Sequence, residues 1–294
     1  MKGVSVYIPV LGTAKELKYC LDGLLNQTQM PDEIILLHND KSRRIQSIAS
    51  RYSSIIRIVE LSGPFTRSHV KNIALQTSRY DLVASLHVNC VPKPDWLKTL
   101  CDRMRNHPEL LGAGGPLLEV HTDSLTNRYR CQHLHRDQGN SVIINPNLLH
   151  GGNTIYRRKP LLAIGGYNQA LQNGEEDIEL SSRIRQSGGR LLYDPKASAY
   201  RYRRDSLRSI LTLQWQSLRQ LHNLIQSPHN PKDVWYNGKQ MVKTIWKNQI
   251  LTDLRAKRFL LSALGMASIT VAPLLEWKWY KQSPKYLVAH ESNV

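Results

Sequence analysis

The first hundred residues alternate short apolar runs with amphipathic stretches, and this alternation constrains the fold more than any other feature. The apolar runs have the length and composition of buried strands, and they cover Val4–Val10, Ile34–Leu37, Ile55–Val59 and Leu82–Leu86. Stretches with helical spacing lie between them, including a predicted helix over Arg67–Thr77. Repeated strand–helix–strand units need crossover connections, which favour a parallel sheet with helices on its faces.

Candidate binding residues stand at the carboxyl ends of three of the predicted strands, the first, the second and the fourth. They are Pro9 and Val10 in the first strand, His38, Asn39 and Asp40 after the second, and His87 and Asn89 after the fourth. Ligands of open α/β sheets bind at this edge. The sequence therefore predicts a binding site there.

Beyond residue 105 the alternation gives way to short glycine-rich and acidic motifs. Gly151-Gly152-Asn153 and Ile164-Gly165-Gly166-Tyr167 predict tight turns. An acidic turn, Gly174-Glu175-Glu176-Asp177, precedes a predicted helix over Ile178–Ser187, and a strand over Arg190–Tyr193 follows. Residues 121–150 show no clear periodicity, so no element is predicted there.

The order and spacing of these motifs resemble those of the family 2 glycosyltransferases, and the resemblance covers residues 3 to about 210. It implies a GT-A fold, that is, an α/β architecture with a mostly parallel, Rossmann-like sheet flanked by helices. We expect a nucleotide-sugar-binding and acceptor domain over residues 1–205. The pattern of residues 206–294 predicts a basic, helical C-terminal extension.

The resemblance also implies roles for individual residues. Asp177 matches the general base that takes the acceptor proton, and Glu176 matches its neighbour. The expected nucleotide-binding residues are Pro9, Val10, His38, Asn39, Asp40, Lys71, Asn72, His87 and Asn89, and the expected acceptor-binding residues are Gly152, Asn153 and Trp96. Taken alone, acids at 175–179 are also typical of a helix N-terminus.

The sequence departs from the family at the positions that bind the metal and the base. His87-Val88-Asn89 stands in place of D-x-D, His38 replaces an aspartate, and Arg201 replaces a histidine. His87 and Asn89 are mediocre ligands for Mg²⁺ or Mn²⁺, so they stay candidate ligands only and the metal requirement stays open. One hypothesis is metal-independent transfer, with Arg201 and Arg204 binding the diphosphate. The alternative is a degenerate site in a catalytically silent subunit that scaffolds an active partner.

The charge distribution indicates an anionic partner. The net charge is +17, and residues 201–294 carry 15 basic and 5 acidic side chains. Recognition motifs for nucleic acid are lacking, so an anionic membrane surface is the preferred partner. The four cysteines show no C-x-x-C spacing and the N-terminus has no signal-peptide pattern, which favours a reduced, cytoplasmic location.

Residues 259–275 carry no charge and are flanked by basic and aromatic residues. Such a segment fits an interfacial anchor, a helix packed on the domain, or a membrane span.

Together these features predict a glycosyltransferase, peripheral on the cytoplasmic face of the inner membrane. It would move a sugar, by inversion, from a nucleotide-sugar donor to a glycan or lipid-linked acceptor in cell-surface polysaccharide synthesis. A UDP-sugar is the preferred donor, and a glycosyltransferase partner or a second copy of the chain is a further candidate partner.

Overall fold

A computed structural model describes residues 3–10, 16–39, 44–52, 55–62, 65–134, 136–171, 175–222 and 228–282. The chain divides into two compact units. The first comprises residues 1–120 and 136–203, and the second comprises residues 121–135 and 204–294. The sequence placed one boundary at 205/206, but it did not predict that residues 121–135 group with the C-terminal part.

An eight-stranded sheet forms the centre of the first unit. Its strands are β1 (Val4–Val10), β2 (Glu33–His38), β3 (Ile56–Glu60), β4 (Leu82–Leu86), β6 (Leu110–Gly114), β8 (Ile143–Ile144), β9 (Asn153–Arg157) and β10 (Arg190–Tyr193). Their spatial order is β3-β2-β1-β4-β9-β6-β10-β8. The first four are parallel to one another, β9 is antiparallel to both β4 and β6, and β10 runs parallel to β6. The mostly parallel sheet confirms the predicted fold class.

A second sheet of three short strands has the order β5-β11-β7. These are β5 (Cys90–Pro92), β7 (Leu117–Glu119) and β11 (Ala199–Arg201). The helices of the first unit are α1 (Leu17–Leu25), α2 (Arg44–Ala49), α3 (Arg67–Thr77), α4 (Trp96–Asn106), α6 (Arg158–Ala163) and α7 (Glu176–Gln186). Two separate apolar clusters make up the core, and both strands β1 and β2 contribute alternate side chains to each.

The second unit is helical. It contains α5 (Leu125–His133), α8 (Leu207–Leu221), α9 (Pro231–Ile245), a π-helical turn (Trp246–Ile250), α10 (Leu251–Arg255) and α11 (Phe259–Lys281). Ser206 caps α8 through a hydrogen bond from Ser209 N, and Asn230 caps α9, with Pro231 in its first turn. Helix α11 packs mainly against α9 and α8.

Helix α11 is 23 residues long, and its most apolar 18-residue window has a mean hydropathy of 1.7. By length and composition this helix could cross a membrane. Yet 39% of that window is buried against the other helices. Residues at helical spacing face the bundle, and these are Leu261, Leu264, Ser268, Ala272, Glu276 and Tyr280. One face of the predicted apolar segment is therefore packed, while Phe259, Met266 and Leu274 are exposed on others.

Candidate functional site

A carboxylate pair at the start of α7 forms the centre of the site. Glu176 and Asp177 occupy the first turn, where the helix dipole favours negative charge. The buried Lys71 of α3 lies between them, with its Nζ 3.0 Å from Glu176 Oε1 and 2.6 Å from Asp177 Oδ1. These two carboxylates raise the pKa of Lys71 against the opposing effect of its burial, which keeps the ammonium charged. Lys71 therefore holds the predicted base in place. Its ammonium is already paired with two carboxylates, which argues against the nucleotide-binding role predicted for it.

The turn at Gly151-Gly152 brings backbone against this pair. Gly151 N donates to Asp177 Oδ2 at 2.9 Å, so both carboxylate oxygens are held. A Cβ at Gly151 would clash with Asp177 Oδ1 and lie 2.6 Å from Lys71 Nζ, and one at Gly152 would lie 2.6 Å from His87 Nδ1. Only glycine permits so close an approach of the backbone, and this explains the motif physically.

Asn153 and Trp96 are internal scaffold residues, which corrects their predicted role in acceptor binding. Both are fully buried. Asn153 Nδ2 donates to Pro116 O and Ala197 O at 2.9 and 2.8 Å, and its Oδ1 accepts from Trp96 Nε1 at 2.6 Å. The amide has used its donors, and the indole has no exposed face on which a sugar could stack.

Asn72 holds the turn that follows α6 rather than pointing to a ligand. Its Nδ2 donates to Tyr167 O and its Oδ1 accepts from Tyr167 N, both at 2.8 Å. Gly166 has a φ of +63°, and a Cβ there would lie 2.6 Å from Asn72 Oδ1. The Tyr167 ring then lies under Lys71, with Nζ 4.8 Å from the ring centroid. Asn72 thus supports the carboxylate centre indirectly.

At the carboxyl edge of the sheet, fewer of the predicted side chains are accessible to a ligand than expected. Val10 and His38 are adjacent in the β1–β2 register, and both side chains are buried. Pro9 is partly exposed and Asn39 is exposed, so these two remain available to a nucleotide. Asp40 lies outside the described residues.

His87 and Asn89 do not form a carboxylate-type metal site. Burial, and then the charge of Lys71, lowers the pKa of His87 well below its usual range, so the ring is neutral at pH 7. Asn89 O accepts from Tyr202 N at 2.8 Å. Within the described part of the chain, no three His, Cys, Asp or Glu side chains cluster closely enough to hold a metal ion.

The two arginines predicted for the diphosphate both have acidic partners. Arg201 is buried, and its Nη2 lies 2.5 Å from Oε1 of the buried Glu119. Arg204 belongs to the second unit, where it is exposed and paired with Asp123. Arg201 is therefore neutralised within the protein, which argues against the role predicted for it.

Arg136 is a cation of the site that the sequence reasoning missed. Its backbone is anchored by a hydrogen bond from Leu117 N to Arg136 O at 3.1 Å. Its Nη1 lies 3.2 Å from Nδ1 of His150, the residue that precedes the Gly151 turn. Burial, and then the neighbouring Arg201, lowers the pKa of Arg136 to about 10, so the group is still charged at pH 7. The only signal in the sequence was a positive charge in a stretch without periodicity.

Solved structures share the fold of this chain. A mannosyltransferase from Pyrobaculum calidifontis in complex with GDP-Man and Mn²⁺ matches with a TM-score of 0.60, at 14% identity, over 98% of this chain and 83% of its own. GalNAc-T7 with UDP, GalNAc and Mn²⁺ matches with a TM-score of 0.60, at 14% identity, over 81% of this chain and 50% of its own. At this identity the likeness shows the GT-A fold alone.

Curated relatives match about 60% of the chain. The amylovoran biosynthesis glycosyltransferase AmsE of Erwinia amylovora is 23% identical over 63% of this chain and 70% of its own length. The glucosyl-dolichyl phosphate glucuronosyltransferase of Haloferax volcanii is 21% identical over 60% of this chain and 61% of its own. The chondroitin synthase of Escherichia coli is 22% identical, over 63% of this chain but only 32% of its own.

The family model described as glycosyl transferase family 2 matches residues 5–165, more than half of the chain. That span contains α3 with Lys71, the Gly151 turn and the strand edge. The chain therefore belongs to glycosyl transferase family 2 and is a glycosyltransferase.

Proposed function

We propose that this protein transfers a sugar from a UDP-sugar to a glycan or lipid-linked acceptor, with inversion, in the synthesis of a cell-surface polysaccharide. The observation that carries the proposal is the intact Lys71–Glu176–Asp177 centre held against the Gly151 turn. The relatives named for amylovoran and chondroitin synthesis support the polysaccharide role. One structural neighbour is a complex with UDP and the other a complex with GDP-Man, so both support a nucleotide-sugar donor, of which UDP-sugar is the one proposed.

In this reaction Asp177 accepts the proton of the acceptor hydroxyl as its oxygen attacks the anomeric carbon. The new carbon–oxygen bond forms as the bond from that carbon to the diphosphate breaks, and the nucleoside diphosphate leaves with the bonding electrons. Lys71 and Gly151 N hold the carboxylate in one orientation, so that little reorganisation is needed at the moment of transfer. A silent scaffold would not require this arrangement.

The leaving diphosphate needs positive charge. The Mn²⁺ of the two structural neighbours does not fit the donor set of this chain, because a neutral imidazole and an amide replace the expected carboxylates. We therefore assign the charge to Arg136. Unlike Arg201, it forms no ion pair with any residue that the structure describes, and the charges that act on it are mainly those of other arginines, with Asp177 acting in the opposite sense. A guanidinium can bind phosphate oxygens in a bidentate manner.

The proposed location is the cytoplasmic face of the inner membrane, with the helical unit in contact with anionic lipid. Exposed aromatic side chains of this unit lie beside lysines. Lys239 Nζ is 5.1 Å from the centroid of the Trp235 ring, and Lys281 Nζ is 5.4 Å from that of Trp277. Aromatic and cationic side chains together favour the interface of a membrane.

Turnover of the Asp177→Asn variant tests the proposed function. We expect release of UDP from a UDP-sugar, measured with a membrane lipid fraction as acceptor, to fall about 10²- to 10⁴-fold because the base is lost. The affinity for UDP, measured by calorimetry, should change little, which also reports that the variant is folded. Glu109→Gln, an exposed acid of the same unit that lies at the opposite, amino end of β6, is the matched control. Near-wild-type turnover in Asp177→Asn would refute the assignment.

A further inference from the structure

The helical unit contains a cavity that the transfer reaction does not use. Its volume is about 590 Å³, and it lies between one face of α5 and the beginning of α11. Cavities of about 300–1,000 Å³ are typical of ligand sites. Every lining residue belongs to the second unit, so the cavity is complete within that unit.

The wall of this cavity is largely apolar. Leu125 of α5 and Phe259, Leu260 and Leu261 of α11 contribute to it, and Leu260 is 64% exposed. A water-sized group takes about 30 Å³ in a liquid, so a volume of this size holds on the order of twenty such groups. That is enough for one hydrocarbon chain, but not for the two long chains of a membrane phospholipid.

The rim of the cavity is cationic. Arg128, Lys257 and Arg258 all line it, and none of the described residues that line it is acidic. Arg128 and Lys257 are exposed and form no ion pair with any residue that the structure describes. Arg258 Nη1 is 3.6 Å from Asp253 Oδ1 and makes no hydrogen bond within the described part of the chain. The rim therefore has positive charge in excess of what the protein itself neutralises.

The nearby acids are already engaged, and they do not offset this excess. Asp123 is paired with Arg204, and Asp253 Oδ2 lies 2.7 Å from His133 Nε2. In addition, α11 begins at this rim without a side-chain cap and without an acidic residue in its first turn. The positive end of the helix dipole thus adds to the charge of the three side chains.

We propose that this cavity binds a single-chain lipid phosphate, with the hydrocarbon chain against α11 and the phosphate between Arg128 and Lys257. The apolar wall selects the chain, because burial removes hydrocarbon from water. The rim selects the phosphate, because charge-assisted hydrogen bonds to a dianion are stronger than those to a neutral group. Neither the chain nor the phosphate alone satisfies both parts of the cavity.

Binding of dodecyl phosphate to the full-length protein tests this inference. The ligand is titrated below its micelle concentration, with dodecanol and inorganic phosphate as the two partial ligands, and heat or tryptophan fluorescence is the readout. We expect dodecyl phosphate to bind at least about tenfold more tightly than either partial ligand. Equal binding of dodecanol would overturn the role of the rim, and equal binding of inorganic phosphate would overturn the role of the wall.

Matched variants assign the site. Arg128→Gln combined with Lys257→Gln should weaken dodecyl phosphate at least about tenfold, whereas Arg208→Gln, an exposed arginine outside the cavity, should not. Leu260→Ser should weaken it about fivefold, and Leu254→Ser, also exposed but not lining the cavity, should leave it unchanged. Unchanged affinity in the double variant would refute the proposal. Because no donor or turnover is involved, that failure would leave the proposed transfer reaction untouched.

Discussion

Arg201 and Arg136 of the first unit differ in their partners, and the partner determines whether each guanidinium is available to an anionic ligand. The side chains of Arg201 and Glu119 are only 2% and 6% exposed and are in contact, so the charge of Arg201 is neutralised before any ligand arrives. Arg136 instead has the ring of His150 at 3.2 Å, and the charges that act on it are mainly those of other arginines, opposed in part by the Asp177 carboxylate. An anion bound at Arg136 would relieve this like-charge repulsion, and this favours diphosphate there.

The Arg136→Gln variant should therefore lose affinity for UDP. We expect a loss of about 10- to 100-fold, the range for a hydrogen bond to a charged group, measured by calorimetry in the presence of EDTA. Arg190→Gln, an exposed arginine of the same unit, should bind UDP like the wild type. If EDTA abolishes binding to the wild-type protein, a metal ion supplies the charge and the assignment to Arg136 fails.

The sequence predicted the positions of the carboxylate centre but not its contacts. The acids at 176 and 177, the lysine at 71 and the glycines at 151 and 152 were all singled out from their order along the chain. The contact of Lys71 with both acids joins residues more than a hundred positions apart, and one sequence carries no signal for it. The burial of Asn153 and Trp96 also depends on contacts between distant residues, so only the structure shows it.

At the level of elements, the sequence predicted the strands and helices whose buried side chains are apolar and regularly spaced. It did not predict helices whose buried face includes polar side chains. Strand β4, helix α3 and strand β10 coincide with their predictions. Helix α5 was missed because its buried face includes Asn127 and Arg130, which a hydrophobic period cannot show. Arg130 is neutralised by Asp205, which is 75 positions away.

Helix α11 extends beyond the uncharged segment at 259–275, and a buried charge again explains why the hydrophobic pattern did not show this. Glu276 is fully buried, and its carboxylate accepts hydrogen bonds from Arg219 at 2.6 Å, from Trp215 Nε1 at 2.8 Å and from Asn237 Nδ2 at 2.8 Å. The Arg219 guanidinium carbon also lies 3.6 Å from the centroid of the Trp279 ring. A truncation before α11 would leave Arg219 buried without its counter-ion, so single substitutions are the better probe of this unit.

Arg219→Met should destabilise the helical unit by about 3–5 kcal/mol, because it leaves the buried Glu276 carboxylate without its cation. Urea unfolding followed by tryptophan fluorescence measures this, since five of the six tryptophans lie in the second unit. Lys247→Met, an exposed cation of the same unit, should change the unfolding free energy by less than about 0.5 kcal/mol. Equal effects of the two variants would mean that the ion pair contributes nothing to the stability of this unit.

For the whole molecule, charge is the property that the sequence gives most directly, and its uneven distribution has a consequence for binding. Of the net +17, residues 201–294 contribute an excess of ten basic side chains. Many of these lysines and arginines are exposed on the helical unit, together with aromatic residues such as Trp235 and Trp277. Exposed charges attract an anionic surface over about a Debye length, and aromatic rings add apolar contact once they reach it.

Anionic vesicles should therefore bind the full-length protein, and binding should weaken as the salt concentration rises. In a sedimentation assay, we expect Trp235→Ser combined with Trp277→Ser to lower the partition coefficient at least about tenfold, because each exposed ring buries apolar area in the interface. Tyr19→Ser, which removes an aromatic side chain that is 64% exposed on the first unit, should bind like the wild type. Binding that is insensitive to both salt and the tryptophan variant would place the membrane contact elsewhere. Equal binding to neutral vesicles would show that the positive charge is not what draws this protein to the surface.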